Sequence, residues 1–354
     1  MILTIRIAKL NWLALNVFMV FVMIVIGGIT RLTDSGLSMT DWNFLSGIIP
    51  PMNDTDWLRL FDTYKKFPEY QIKNFDISLA EFKKIFFWEY LHRIWGRLIG
   101  ITFFFPLIFI WIKQGFDKNE KKLIFILSIL GFFQAFMGWY MVKSGLIESP
   151  DVSHFRLSAH LITAFVIYAI LLYFFWNIFS KNKKNLKYLS TFQLKIHKKN
   201  FQLSVILLFL TICTGAFVSG TDAGISYNNF PLMGDGILPP ILLYENLPDI
   251  ETLFNDQGFL QFLHRFLATI TLLFILHTIF KAYRDNFFYN FKILFFILLF
   301  AIIFQYVLGI VILKLYIPIS LGLLHQIGSL FVLTLLVITL CEANKKRAIA
   351  RPLV

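Results

Sequence analysis

Eight long apolar runs are the feature that most constrains what this chain can fold into. The runs cover approximately residues 11–29, 90–112, 123–142, 156–178, 203–219, 260–280, 291–313 and 320–341. Each is close to the length of about 20 residues that an α-helix needs to cross a bilayer. Only 15% of the residues are charged, whereas soluble domains have about 25%. We therefore predict an all-α integral membrane protein with eight transmembrane helices, and we exclude a soluble enzyme, a disordered chain and a disulfide scaffold.

The connections between the runs alternate between basic and acidic. Residues 178–202 carry seven lysines and no acid, whereas residues 220–259 carry six acids and no base. Cytoplasmic loops of membrane proteins are enriched in Lys and Arg. We therefore expect both termini on the cytoplasmic side and the long loops 30–87 and 220–259 outside. The net charge of +12 then reflects membrane orientation, and no nucleic-acid partner is expected.

The two long outside loops resemble each other, which indicates an internal repeat. Residues 33–38 match residues 221–226, and after each loop a predicted span carries a His-Arg pair, at 92–93 and at 264–265. Four spans return the chain to its starting side, so two tandem four-helix units would share one orientation. A parallel repeat of this kind predicts a pseudo-two-fold axis along the membrane normal.

The repeat also predicts how the chain is divided. We expect an N-terminal four-helix unit over residues 1–180 and a C-terminal four-helix unit over residues 203–354, joined by a Lys-rich cytoplasmic linker at 181–202. The interior of a four-helix bundle is a common place for a cofactor. Each unit is therefore a candidate to hold one site.

Four histidines occupy matching places in the two units. His92, His160, His264 and His325 each lie about three to six residues into a span that starts at the outer surface. An ionisable group there is costly and indicates function. Zinc would need four ligands, whereas two imidazoles from facing helices suit the axial positions of a haem iron. We therefore predict these four as haem iron ligands, and the pattern leaves open whether the pairs form within or across the units.

Three further histidines have no such pattern. His154 and His197 are expected in loops without a role, and His277 is expected as a packing residue within the sixth span.

Three arginines lie beside the predicted haem ligands. They are Arg93, Arg97 and Arg265. A guanidinium binds carboxylates with two parallel hydrogen bonds, so these residues are candidate contacts for haem propionates. The alternative is that their long side chains only reach up to the membrane interface.

Glu89 distinguishes the first unit from the second. It precedes His92 by three residues, so both lie on one helix face, and the equivalent residue of the second unit is Gln261. A carboxylate in an apolar pocket is a candidate for acid–base chemistry, although a structural pair with Arg93 or Arg97 is the alternative. The difference predicts that one haem site performs chemistry while the other transfers electrons or has a structural role.

Taken together, these motifs resemble the haem A synthase family over nearly the whole chain. The matching segments are residues 27–38, 88–93, 133–146, 156–161, 215–240, 261–265 and 304–326. The resemblance implies oxidation of the C8 methyl group of haem O to a formyl group, which gives haem A for cytochrome oxidase. It also implies that His92 and His160 hold the substrate haem, that His264 and His325 ligate a haem b cofactor, and that Glu89 is the essential glutamate.

The resemblance extends to location and partners. Many members of the family carry a cysteine pair in the first outside loop, but residues 30–87 contain no cysteine, so the chain resembles the type without that pair. We expect a multi-pass protein of a bacterial inner (plasma) membrane, with haem O, membrane lipid, a haem O synthase and cytochrome oxidase assembly factors as partners, and with homo-oligomers as a further expectation. The alternative is a bis-histidine membrane cytochrome b that only transfers electrons, and the asymmetry at Glu89 favours the enzyme.

Overall fold

Long α-helices account for most of the computed structural model, which describes residues 2–40, 47–145, 152–180, 191–246, 248–285 and 292–344. Within these residues the helices are α1 Ile2–Leu32, α2 Asp54–Tyr64, α3 Pro68–Ile72, α4 Leu79–Ile112, α5 Lys118–Gly145, α6 His154–Phe179, α7 Thr191–Gly220, α8 Ile250–Asn255, α9 Gln257–Arg284, α10 Lys292–Lys314 and α11 Ile319–Asn344. Eight of them are long and apolar enough to cross a membrane. This confirms the predicted all-α membrane protein, whereas the pseudo-two-fold axis stays a prediction. Residues 181–190 of the predicted linker and the basic tail from 345 onward lie outside the described residues.

Several helices are longer than their apolar runs. α4 begins at Leu79 because Ser78 and Glu81 form a reciprocal capping box, in which each side chain accepts a hydrogen bond from the backbone N–H of the other. His92 therefore follows the start of its helix by thirteen residues, and the expectation of three to six residues is wrong there. α7 likewise begins at Thr191, so part of the predicted linker is helical.

The chain packs as two compact units. The first comprises Met1–Tyr168, Ser219–Thr221 and Pro318–Gln326, and the second comprises the remaining ranges Ala169–Val218, Asp222–Ile317 and Ile327–Val354. The predicted division into residues 1–180, a linker and residues 203–354 stays a prediction.

Within the first unit, α1 and α4 pack antiparallel and are joined by buried polar side chains. The Trp12 indole N–H donates to the Phe103 carbonyl (3.0 Å), and near the middle of the two helices the Trp95 indole N–H donates to the Met19 carbonyl (2.9 Å). Polar groups in a bilayer need partners inside the protein, so these bonds fix the register of the two helices. The register brings Gly27 of α1 opposite α4 at the position of a predicted ligand.

Within the second unit, α7 and α9 are joined in a similar way. The hydroxyls of Thr211 and Thr271 lie 2.7 Å apart, and that of Thr271 also donates to the Leu207 carbonyl (3.3 Å). Hydrogen bonds of this kind between transmembrane helices contribute about 0.6–2 kcal/mol each. They hold the α9 residues that precede Thr271 against the C-terminal half of α7.

Candidate functional site

His92 and His160 lie close together in the first unit. Their ring centroids are 6.5 Å apart and the ring planes are inclined by 49°. α4 supplies the first ring and α6 supplies the second. Each residue keeps some accessible surface although it lies within a membrane helix. The structure therefore brings these two predicted ligands together.

The neighbourhood of the two rings fits an axial ligand pair. A Cβ on Gly27 would lie 3.6 Å from His92 Cε1, and a Cβ on Gly138 would lie 3.3 Å from His160 Cε1. The Gln134 amide nitrogen is 3.2 Å from His160 Nε2, whereas His160 Nδ1 is buried with no hydrogen-bond partner among the described residues. A buried nitrogen without a partner is costly. Coordination of a metal through this nitrogen would remove that cost.

His264 of α9 is held by α7 in the second unit. Its Nδ1 lies 3.1 Å from the Thr211 carbonyl oxygen and 3.2 Å from the Thr214 hydroxyl. With the proton assigned to Nδ1, that nitrogen donates to the carbonyl and Nε2 keeps its lone pair. Metal-binding histidines are usually oriented by such a bond. The arrangement therefore fits a ligand whose Nε2 coordinates iron.

His325, the fourth predicted ligand, lies on α11, six residues after the helix start at Ile319. Its pairing with His264 stays a prediction.

Glu89 is 3% exposed and accepts hydrogen bonds on both carboxylate oxygens. Oε2 accepts from the Ser38 hydroxyl and from the Met39 backbone N–H, both at 2.7 Å, and Oε1 accepts from Arg93 Nη2 at 2.5 Å. The same Arg93 nitrogen donates to the Met39 carbonyl at 2.9 Å. Glu89 and Arg93 thus form an ion pair, and the carboxylate is fixed against residues 38–39 of the loop between α1 and α2.

Gln261 occupies the equivalent position in the second unit with the opposite polarity. Its amide nitrogen donates to the carbonyls of Ala223 (3.0 Å), Gly224 (3.3 Å) and Tyr227 (3.1 Å). Arg265 Nη2 donates to the Tyr227 carbonyl at 2.7 Å and to the Gln261 amide oxygen at 3.1 Å. The loop of the second unit therefore presents carbonyl acceptors to Gln261, whereas the loop of the first unit presents hydrogen-bond donors to Glu89.

Two of the three candidate propionate contacts, Arg93 and Arg265, already form hydrogen bonds within the protein. Arg93 is bonded to Glu89, and Arg265 donates to the Leu232 carbonyl (3.2 Å) as well as to Tyr227. Arg97 lies four residues after Arg93 on α4. Contact of any of these arginines with a propionate stays a prediction.

Sequence reasoning missed the residues that position the predicted site. Ser38, Met39, Gln134, Thr211 and Thr214 bind Glu89, His160 or His264. The 33–38 and 221–226 repeat was the one signal for the loop residues, since Met39 and Tyr227 follow it directly. Gln134 on α5 lies in the segment 133–146 that resembles the family, whereas Thr211 and Thr214 on α7 have no signal without the packing.

The expectation for two other histidines is wrong. His197 lies on α7 rather than in a loop and is fully buried, with Nε2 3.1 Å from the Asp285 carboxylate, because α7 begins twelve residues before the apolar run at 203. His154 is the first residue of α6. His277 lies on α9 as expected, but its side chain is exposed on the helix surface.

The comparisons with known proteins agree with one another. The model of the COX15-CtaA family, described as cytochrome oxidase assembly protein, matches residues 10–337. The chain is 38% identical to the Heme A synthase of Flavobacterium johnsoniae over 94% of this chain and 97% of that protein. It is 40% identical to the Heme A synthase of Rhodospirillum centenum (93% and 86%) and 42% identical to that of Pelagibacter ubique (91% and 93%). The chain therefore belongs to the COX15-CtaA family of cytochrome oxidase assembly proteins.

Proposed function

We propose that this membrane enzyme acts on haem as a haem A synthase. In this reaction the C8 methyl group of haem O is oxidised to the formyl group of haem A, which cytochrome oxidase uses. The observation that carries the proposal is the buried carboxylate of Glu89, placed three residues before His92 in the first unit, where the second unit has Gln261. The relatives named Heme A synthase support it over nearly the full length of the chain.

The histidines would have two different roles. His92 and His160 would hold the substrate haem, and their rings already lie 6.5 Å apart. His264 and His325 would hold a haem b cofactor, which supplies one-electron transfer when bound. The bond from His264 Nδ1 to the Thr211 carbonyl supports the second assignment, since it fixes the ring and leaves Nε2 for a metal.

Glu89 would act on charge or protons at the reacting methyl carbon. Oε2 already accepts two hydrogen bonds, whereas Oε1 accepts one, from Arg93. Oε1 is therefore the oxygen with capacity to accept a proton or to face a developing positive charge. Ser38, Met39 and Arg93 hold the carboxylate in place beforehand, which is the condition for effective electrostatic stabilisation.

The charge pattern and the bacterial relatives support the proposed location of the enzyme. A bacterial inner membrane, with both termini on the cytoplasmic side, agrees with the basic connections and the acidic outside loop. Direct transfer of haem O from a haem O synthase would avoid exposing an apolar substrate to water. Assembly factors of cytochrome oxidase and a second copy of the chain are further proposed partners.

The decisive experiment is co-expression with a haem O synthase, followed by haem extraction and chromatography. Haem A should accumulate with this protein and be absent without it. Accumulation of haem O alone, from a protein that is folded and contains haem b, would instead favour a bis-histidine cytochrome b that only transfers electrons.

The cofactor assignment has its own test. His264→Ala should remove the low-spin b-type absorbance spectrum of the purified protein, while His92→Ala should retain it. An unchanged spectrum after His264→Ala would refute the assignment of His264 as a ligand of the cofactor.

A further inference from the structure

A second buried carboxyl lies in the first outside loop. Glu69, on α3, is 4% exposed, and its Oε2 accepts a hydrogen bond from the Tyr64 hydroxyl at 2.9 Å. Tyr64, at the end of α2, is fully buried and accepts a hydrogen bond from the Asn74 amide at 2.8 Å. The Asn74 backbone N–H donates to the Glu69 carbonyl (3.1 Å). The three side chains therefore form one network that closes the turn between α2 and α3.

No cation is paired with this carboxyl among the described residues. Glu69 takes part in none of the ion pairs of the described residues. The effect of Lys73 on the pKa of Glu69 is weaker than the opposing effects of Glu89 and Asp34. Burial raises the pKa of Glu69 to about 8, the Tyr64 hydrogen bond lowers it, and the negative charges of Glu89 and Asp34 raise it. A carboxyl in such surroundings is stable as the neutral acid and costly as the anion.

The network packs on the residues that hold Glu89. Tyr64 belongs to an outer aromatic cluster, which consists of Met39, Phe61, Tyr64, Phe82 and Phe86. The rings of Tyr64 and Phe82 are 5.1 Å apart. Met39 is the link, because its N–H donates to Glu89 and its carbonyl accepts from Arg93. The contacts that hold the cluster together therefore also hold Met39, whose backbone N–H donates to the Glu89 carboxylate.

The equivalent loop of the second unit, residues 220–259, has no such network among its described residues. The described acidic side chains between 220 and 259 are exposed or partly exposed. The loop there is instead fixed by Gln261, which binds three carbonyls directly. Of the two equivalent loops, only the one in the unit that carries Glu89 has a buried carboxyl among its described residues.

We propose that Glu69 is a positioning residue for the Glu89 site and that it acts as the neutral acid, so that its ionisation loosens α2 and α3 from Met39 and weakens the hold on Glu89. The link to catalysis rests on the proposed function, whereas the loosening itself does not. The pKa of Glu69 is higher in the folded chain than its ordinary value of 4.5. The segment formed by α2 and α3 therefore loses stability as the pH rises from 4.5 to about 8. Stability is then fully present below 4.5 and lost through the folded pKa.

The test uses the full-length protein and the matched variant Glu69→Gln, which keeps the shape and has no charge at any pH. Trypsin cleavage after Lys65 and Lys66, at the turn between α2 and α3, is measured by mass spectrometry from pH 6 to pH 9. The ratio of wild-type to variant rates cancels the pH dependence of the protease. We expect that ratio to rise about tenfold between pH 6 and pH 7 and to level off above about pH 8. A ratio that does not change with pH overturns the proposal.

Tyr64→Phe provides an independent variant if Glu69→Gln fails to fold. The phenol lowers the pKa of Glu69, so its removal should move the plateau to higher pH, while the new ring still fills the cluster. A plateau at the wild-type pH would contradict the role of the network. The protection factor of the peptide containing Met39, which corrects for the intrinsic rise of amide exchange with pH, should fall over the same pH range as the cleavage rises. A protection factor that does not change with pH would contradict the link to Glu89.

The outcomes separate the two proposals. If no variant and no wild-type protein makes haem A, the proposed function fails, although the cleavage ratio still reports on Glu69. If haem A forms but the ratio is flat, the function stands and the positioning role of Glu69 fails.

Discussion

The Glu89 site of α4 and the Gln261 site of α9 are built on one plan with reversed polarity. Each residue is followed four positions later by an arginine, and each arginine binds a carbonyl just after the repeated loop motif, at Met39 or at Tyr227. Glu89 accepts from a hydroxyl and an N–H of its loop, whereas Gln261 donates to three carbonyls. The difference between the units therefore involves the loop backbone as well as the single residue.

The two loops change how the asymmetry is interpreted. A lone Glu-to-Gln difference is compatible with random drift, but a loop that turns donors toward one side chain and acceptors toward the other is matched to each of them. The first unit is thus arranged for a carboxylate and the second for an amide. Exchanging the two residues should damage each site in a different way.

Glu89→Gln should produce the largest effect. The amide cannot accept a proton or oppose positive charge as a carboxylate does, so we expect haem A formation to fall at least about a hundredfold. The b-type spectrum of the cofactor proposed at His264 and His325 should persist. Haem A is measured by chromatography after co-expression with a haem O synthase, and Lys143→Ala on the surface of α5 serves as control. Substantial product from the variant would remove Glu89 from the chemistry.

Gln261→Glu should mainly cost stability. A carboxylate at this position would face three carbonyl oxygens and lose the hydrogen bonds that the two amide protons share among them, while Arg265 would compensate in part. We expect the free energy of unfolding to fall by about 2–4 kcal/mol, measured by thermal unfolding in detergent. Unchanged stability would show that the loop can reverse its polarity, and the comparison between the two sites would then lose its basis.

The sequence was sufficient for the parts of the structure that depend on periodicity. Apolar runs located all eight membrane helices, and the loop repeat pointed to residues that bind Glu89 and Gln261. Helix ends were less accurate, because capping residues such as Ser78 and Glu81 extend α4 beyond the apolar run. The S-x-x-E pattern was nevertheless visible in the sequence.

Contacts between distant residues were not predictable from the sequence. His197 lies among lysines, which favoured a solvated loop, yet it is buried on α7 next to Asp285. The proximity of His160 to Gln134, and of Glu69 to Tyr64, depends on how helices pack and on how α2 and α3 turn. Single-sequence patterns define the face of one helix but not the neighbour that covers it.

Two equivalent glycines should respond differently to alanine. A Cβ at Gly215 would lie 3.0 Å from His264 Cε1, whereas a Cβ at Gly27 would lie 3.6 Å from His92 Cε1. Gly215→Ala should therefore displace His264 from the Thr211 carbonyl, at a cost of about 1–3 kcal/mol. Gly27→Ala makes an ordinary contact and should gain about 0.5–1 kcal/mol from the better helix former. The b-type spectrum and the unfolding midpoint measure both effects, and equal responses would show that the two pockets are equally tight.

The smallest effect concerns the turns that begin the two loop motifs. Asp34 and Asp222 occupy equivalent positions, and both have a left-handed backbone, with φ of 46° and 53°. Alanine at either position should cost about 1 kcal/mol, because a Cβ without a polar side chain is disfavoured there. Glycine adopts this conformation freely, and for Asp34→Gly the lost ion pair with Arg31 is on an exposed side chain, where such pairs contribute about 0.2–1 kcal/mol. Asp34→Gly should thus remain within about 0.5 kcal/mol of the wild type in thermal unfolding. A different outcome would be that alanine is tolerated as well as glycine at only one of these two positions. The two turns would then differ in backbone conformation. The reversed polarity at Glu89 and Gln261 would in that case originate at the first residues of the loops.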